Sequence, residues 1–283
     1  MNNYFCGWYF KCQSKEQTLA VIPSIHVSKG KRTGCVQLIT NTGNWSASLP
    51  YAKLQTNGGR ICAIMGENVF SYKGIRLSLH TDSLDAEGMI RFGRMSPIRY
   101  DIMGPFRYIP FMECRHSVFS MQHTVNGRLR INGVDYIFQD GTGYIEGDRG
   151  YSFPKHYAWT QYGFNGGSLM LSVAEIPLGP ASFTGTIGIV QMNGEEYRLA
   201  TYLGAKVIKL QDNQIAVRQG NLMLTAQLLA KNAFDLQAPK AGAMDRLIRE
   251  NVSCPAYYRF YQGEKMLFHL EAKNASFEYE YPL

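Results

Sequence analysis

Between Tyr144 and Asp148 the chain reads Tyr-Ile-Glu-Gly-Asp. In an extended segment alternate side chains share a face, with members about 6 to 7 Å apart. A strand here would therefore set Tyr144, Glu146 and Asp148 side by side. Two carboxyls on such a face, withdrawn from water, do not both ionise readily, so one keeps its proton and serves as an acid. Asp148, close to the turn expected at Gly150, is the favoured acid, Glu146 its partner, and Tyr144 a phenol beside them. After Phe153-Pro154, Tyr157, Trp159 and Gln161 alternate in the same way and offer a phenol, an aromatic wall and an amide that orients a ligand oxygen. The competing reading is structural: Glu146 or Asp148 paired with Arg149, Arg115 or Lys155, and Tyr157, Trp159 and Phe153 packed as core.

In PFMECRHSVFSMQH (Pro110 to His123), Glu113, Arg115 and His123 fall on one strand parity and His116 on the other. A histidine near a carboxylate can act as a base towards a hydroxyl. His123 is placed in that role, with Glu113 and His116 as lining residues, against the alternative of histidines satisfied by backbone or strand neighbours. Near the start of the chain Trp8 and Phe10 point one way and Tyr9 and Lys11 the other, and Trp8 is taken as a lining residue. There is no metal-ligand spacing, phosphate-binding glycine loop or nucleophile elbow. The expectation is a protein that uses neither metal nor cofactor.

These residues need strands to position them, and the composition supplies strands. The 283 residues are 45% hydrophobic and 13% aromatic, with 28 Gly, a balance that favours β-structure and turns over disorder or helix. In Gly74 to His80, Ile75, Leu77 and Leu79 alternate with Arg76, Ser78 and His80, the pattern of a half-buried strand. Short strands recur about every ten residues to the end of the chain, as in sandwiches and barrels. Asn126-Gly127 and Asn132-Gly133 both read as type I′ hairpin turns. Residues 89–114 read as an irregular crossover, and only AGAMDRLIREN (Ala241 to Asn251) reads as a helix. The resulting expectation is an all-β chain with a domain joint at 162/163, giving an N-terminal domain of residues 1–162 and a C-terminal domain of residues 163–283.

The net charge of +7 is scattered, with one dense cluster at Lys29, Lys31 and Arg32. This argues against a nucleic-acid role but is compatible with peripheral contact between cationic loops and an anionic membrane. Six widely spaced Cys residues without a CxxC pair read as reduced, buried thiols, hence a cytoplasmic protein.

Four ordered blocks, GWYFK (Gly7 to Lys11), PFMECRHSVFSMQH, GYIEGDRGYSFPKHYAWTQ (Gly143 to Gln161) and LQAPKAGAMDRLIRE (Leu236 to Glu250), resemble the tocopherol cyclase-like family, relatives of the carotenoid hydratases. The resemblance runs from residue 7 to about residue 272. It implies two lipocalin-like antiparallel β-barrel or sandwich lobes with little helix, a lipophilic cavity, and chemistry on a prenylated quinol or terpenoid. The family's Glu-Lys-Asp-Trp-Gly is here Glu146-Gly147-Asp148-Arg149-Gly150, which sets a fixed cation in place of an aromatic. Beside a carbocation Arg149 would oppose it; in a carrier it would anchor an acidic headgroup. The activity expected is acid-promoted cyclisation, hydration or isomerisation of a hydrophobic small molecule. The alternative is a lipocalin-like binding protein without catalysis.

Overall fold

The structure is a computed structural model that describes residues 3–49, 53–54, 61–110, 112–178, 181–230 and 233–281. It is all-β, with two large antiparallel sheets and two short 3-10 turns, Gly104–Tyr108 and Thr201–Leu203.

The first sheet takes the first eleven strands: β1 (Tyr4–Gln13), β2 (Thr18–Ser28), β3 (Lys31–Thr40), β4 (Asn44–Leu49), β5 (Lys53–Leu54), β6 (Cys62–Met65), β7 (Asn68–Ser71), β8 (Gly74–His80), β9 (Asp85–Phe92), β10 (Cys114–Ile131) and β11 (Val134–Gly150). Its order is β4-β3-β2-β1-β11-β10-β9-β8-β7-β6-β5. The second takes β12 (Tyr157–Phe164), β13 (Gly167–Leu178), β14 (Ala181–Met192), β15 (Glu195–Ala200), β16 (Lys206–Gln211), β17 (Gln214–Gln219), β18 (Leu222–Leu228), β19 (Phe234–Lys240), β20 (Ala243–Gln262) and β21 (Lys265–Tyr279). Here the order is β15-β14-β13-β12-β21-β20-β18-β17-β16, with β19 paired to β20 off this path. Both sheets follow one plan: the first and last strands of each series lie side by side at its centre.

The chain forms two compact units. One holds the residues up to Ile98 together with Glu113–Phe153 and Leu236–Arg246; the other holds Arg99–Met112, Pro154–Asp235 and the residues from Leu247 onward. A single cut at 162/163 does not describe this division, because β12 runs through those positions and pairs there with β13. Each unit has its own core. Phe10, Val21, Phe70, Leu129, Phe138 and Ile145 belong to the first, and Leu171, Val190, Val217, Leu224, Phe260 and Phe277 to the second. The alternation expected in β8 is present: Ile75, Leu77 and Leu79 are buried while Arg76 and His80 are exposed.

Two local expectations are corrected. Ala241 to Asn251 is not a helix: Ala241 and Gly242, at φ 49° and 78°, turn the chain between β19 and β20. Ile248, Glu250 and Val252 are then buried on alternate positions while Leu247 and Arg249 are exposed. Pairing of β20 to β19, and to β21 from Glu250 onward, overrides the helical spacing of Met244, Leu247 and Ile248. Asn126-Gly127 is not a turn either, because β10 continues through it to Ile131, where Asn132-Gly133 (φ 47° and 82°) makes the hairpin. Gly127, at φ 137°, lets the strand kink with an added Cβ's position only 2.3 Å from the Met89 carbonyl oxygen. No helix among the described residues is long and apolar enough to cross a membrane.

Candidate functional site

The candidate site is assembled on three adjacent strands of the first unit. In the register Asp148 lies opposite His116 and Glu146 opposite Val118 across the β10–β11 ladder, while Glu146 lies opposite Tyr9 and Tyr144 opposite Lys11 on β1. Ile145, Trp8 and Phe10 take the alternate positions and enter the core. Tyr144, Glu146, Asp148 and His116 therefore share the sheet face turned away from that core, as the spacing of the first three predicted.

The hydroxyl of Tyr144 donates to Glu146 Oε2 at 2.5 Å. His116 lies between the two carboxylates. Its Nδ1 donates to Asp148 Oδ1 at 3.0 Å, and its Nε2 is 3.2 Å from Glu146 Oε2, an ionic contact off the line of a hydrogen bond. Cys114 Sγ also donates to Asp148 Oδ1, at 3.4 Å. The side chains of His116 and Glu146 are 11% and 8% exposed, whereas that of Asp148 is 22% exposed. Asp148 is thus the member of the set that solvent or a ligand reaches most easily.

Burial by itself would push His116 towards the neutral form, but the Glu146 and Asp148 carboxylates outweigh it and hold the imidazole well above its ordinary value. At neutral pH it is an imidazolium between two anions. Burial, followed by the Glu146 charge, raises the Tyr144 phenol well above its usual value, so it stays a donor. Burial, then Asp148, likewise raises the Cys114 thiol. His116, Glu146 and Asp148 each present one ligand atom within 4.8 Å of the others, a grouping that spacing along the chain could not show. A divalent cation would have to displace the His116 proton to use it.

The remaining predicted residues fall elsewhere. His123 is brought to the core side rather than to the carboxylates. The two register shifts of β10, between Val118 and Ser120 and between Ser120 and His123, cancel, so His123 stays on the opposite face from His116; it packs edge-on to Phe92 at 4.7 Å with Nδ1 bonded to Ser120 Oγ at 3.0 Å. Burial lowers it to about 4, so it is a neutral core histidine. Trp8 is 5% exposed and part of the first core. Arg149 alternates with Asp148, pairs across to Cys6 and Arg115, and is exposed, so its side chain leaves the strand on the other face from the carboxylates. Glu113 stands at the start of β10 with Tyr151; burial raises its carboxyl and the Tyr151 hydroxyl bond opposes this.

Tyr157, Trp159 and Gln161 lie on β12 in the second unit, all buried, on alternate positions to Ala158, which enters the second core. The hydroxyl of Tyr157 donates to Glu278 Oε2. Trp159 lies opposite Glu278, and Glu278 opposite Glu250, across the β12–β21–β20 ladder. Glu250 is 0% and Glu278 9% exposed. Each unit thus carries a tyrosine hydroxyl on a buried glutamate, on the non-core face of its central strands. Sequence reasoning missed Glu250 because its segment read as helix, and missed Glu278, although the alternation of FEYEY held the signal.

Fold and site together define an all-β protein of two lipocalin-like lobes with a buried acid–base cluster on the first. No family model and no curated protein matches the chain. Among solved structures it is similar to CghA, with a TM-score of 0.61, 7% identity, and coverage of 98% of this chain and 88% of that one. It is also similar to kievitone hydratase from Nectria haematococca, with a TM-score of 0.55, 8% identity, and coverage of 98% and 89%. An AttH candidate from Nitrosomonas europaea gives a TM-score of 0.55 and 10% identity over 100% of this chain and 93% of that one. At these identities the likeness is one of fold.

Proposed function

We propose that the protein is a cofactor-independent acid–base catalyst that cyclises, hydrates or isomerises a hydrophobic small molecule, of the prenylated quinol or terpenoid class, at Asp148 and its partners. One observation carries this reading: a buried imidazole is held between two carboxylates, at 3.0 and 3.2 Å, with a tyrosine hydroxyl on one of them. Here a second anion and a phenol share the site, and the set keeps a proton in store beside the least buried carboxyl.

The chemistry balances without an added reagent. Asp148, protonated from His116 Nδ1, delivers the proton to one carbon of a trisubstituted alkene, and the tertiary cation forms at the other carbon. A phenolic hydroxyl of the substrate, or water, bonds to that carbon and loses its proton to the Asp148 carboxylate, which passes it back to His116 Nδ1 and so restores the starting state. Glu146 keeps the imidazolium charged, and Tyr144 fixes Glu146. Isomerisation follows the same first step, with a neighbouring C–H proton lost instead of an oxygen captured. The resemblance to the tocopherol cyclase-like family and the fold shared with kievitone hydratase support this class of substrate.

The test is incubation with a panel of prenylated hydroquinones and terpenoid alkenes in D2O. A product should appear carrying one deuterium on carbon, and Asp148→Asn should lower its formation at least about a hundredfold with the far-UV circular dichroism unchanged. Full activity in both Asp148→Asn and Glu146→Gln would overturn the mechanism. A lipid anion that copurifies and survives incubation unchanged would favour a carrier.

A further inference from the structure

The second unit carries a feature that the acid–base cluster does not use. The segment from Arg99 to Ile109 folds back as the 3-10 turn Gly104–Tyr108 and presents an unusual set of exposed side chains: Tyr108 is 77%, Tyr100 49% and Ile109 38% exposed. Tyr202, on the second 3-10 turn, packs edge-on to Phe106 with ring centroids 5.7 Å apart, and its neighbour Leu203 is 45% exposed. Two adjacent turns therefore place tyrosines and aliphatic side chains in water together.

This is a built surface rather than a slack loop. Arg198, whose side chain is 6% exposed, donates to the carbonyls of Tyr100 and Asp101 at 2.8 and 3.2 Å and to the Tyr202 hydroxyl at 3.1 Å. The Tyr202 hydroxyl in turn donates to the Ile102 carbonyl at 3.0 Å, and the Arg198 guanidinium lies 3.6 Å from the Tyr100 ring centroid. Gly104, at φ 51°, is required there, because a Cβ would meet the Tyr202 ring at 2.5 Å. The segment is held rigidly from behind while its apolar tip faces solvent.

The charge around the tip is positive. Arg107 and Arg99 are exposed. Of the nearby carboxylates, Glu196 is 6% exposed and bonded to Arg198, and Asp101 lies 3.8 Å from Arg107. The second turn leads into β16, where Lys206 and Lys209, with Thr184 and Thr201, line an open groove of about 590 Å³. Exposed tyrosine and aliphatic side chains beside Arg99 and Arg107, with Lys206 and Lys209 on the strand that follows the second turn, match the interface of an anionic bilayer, where rings sit at headgroup depth and Lys and Arg meet the surface charge.

We propose that this end of the second unit docks on anionic phospholipid membranes, with Tyr108, Ile109 and Leu203 entering the interface and the groove at Lys206 and Lys209 receiving a phosphate headgroup. The full chain should cosediment with phosphatidylcholine vesicles containing phosphatidylglycerol at least about tenfold better than with phosphatidylcholine alone. Raising the salt from about 0.05 to about 0.5 M should release it. Tyr108→Ser with Ile109→Ser, and separately Lys206→Glu with Lys209→Glu, should each cut binding at least about fivefold with unchanged thermal unfolding. A tryptophan in place of Tyr108 should shift its emission to the blue on vesicles. Equal binding to neutral vesicles, no binding at low salt, or a surface variant that changes oligomeric state and not sedimentation would overturn the proposal; the last would assign the patch to a second copy of the chain. Binding is measured without substrate, so its failure leaves the acid–base reading untouched.

Discussion

His116 has both ring nitrogens against carboxylates, so its protonation carries the behaviour of the site. Removing the ring takes the imidazolium away from Glu146 and Asp148 on one buried face; His116→Gln should cost roughly 3 kcal/mol in urea unfolding, and turnover should fall as in Asp148→Asn. The sign of the pH dependence follows from the shifts. His116, raised in the fold, contributes stability that is complete below its unfolded value near 6.5 and is lost as pH rises through the higher folded value. His26 and His123 do the reverse: burial lowers both to about 4, so their contribution is present above pH 6.5 and disappears as pH falls towards 4. Each then costs up to about 3 kcal/mol. Urea midpoints should therefore drop steeply from pH 6.5 to 4, and His123→Asn should flatten that drop; a parallel slope in the variant would show that His123 is not the buried neutral group described. Arg149 makes a contrasting prediction. Its side chain is exposed on the other face of β11 from Asp148, so Arg149→Trp, which introduces the aromatic of the motif this segment resembles, should leave stability within about 0.5 kcal/mol and turnover nearly unchanged. A large gain in turnover would mean that Arg149 reaches the cation after all.

Strand parity was readable for β11, where Tyr144, Glu146 and Asp148 alternate without interruption, and for β1, where Trp8 and Phe10 oppose Tyr9 and Lys11. In β10 it held between His116 and His123, which lie on opposite faces as counted, but it could not say which of the two faces held the carboxylates. The two register shifts between Val118 and His123 cannot be seen in SVFSMQH; they cancel, leaving His123 on the core side and His116 on the face of Asp148. The two Asn-Gly pairs teach the same lesson, since the dipeptide is identical and only one makes a turn. Gly127 is occupied on both sides, opposite Ile90 on β9 and Phe138 on β11, so ladder pairing continues through it and its freedom at positive φ serves a kink. Gly127→Ala, with strained φ and a Cβ against the Met89 carbonyl, should destabilise by roughly 1 to 3 kcal/mol in thermal or urea unfolding. Gly133 has a positive φ and open space around it; Gly133→Ala should cost less than Gly127→Ala, and equal losses would contradict this distinction between kink and turn.

Across the whole molecule, recurring short strands announced two β lobes, and the structure adds that both lobes use one topology. In each, the first and last strands meet at the centre and carry a tyrosine–glutamate hydrogen bond on the face away from the core: Tyr144 with Glu146, and Tyr157 with Glu278. That correspondence was hidden in sequence because Glu278 reaches Tyr157 and Trp159 only through pairings more than a hundred residues distant along the chain. Segment exchange was hidden for Leu236–Arg246, which belongs to the first unit, whereas Arg99–Met112, which belongs to the second, falls within the stretch 89–114 that read as an irregular crossover.

Whether a protonated imidazole between Glu146 and Asp148 stores the proton for catalysis can be read from 15N NMR of histidine-labelled protein across the pH range. The His116 ring should show two protonated nitrogens at pH 7, persist so well above pH 6.5, and lose this behaviour in Asp148→Asn with Glu146→Gln. A His116 ring that is neutral at pH 7, or that titrates near 6.5 with both carboxylates in place, would contradict the account.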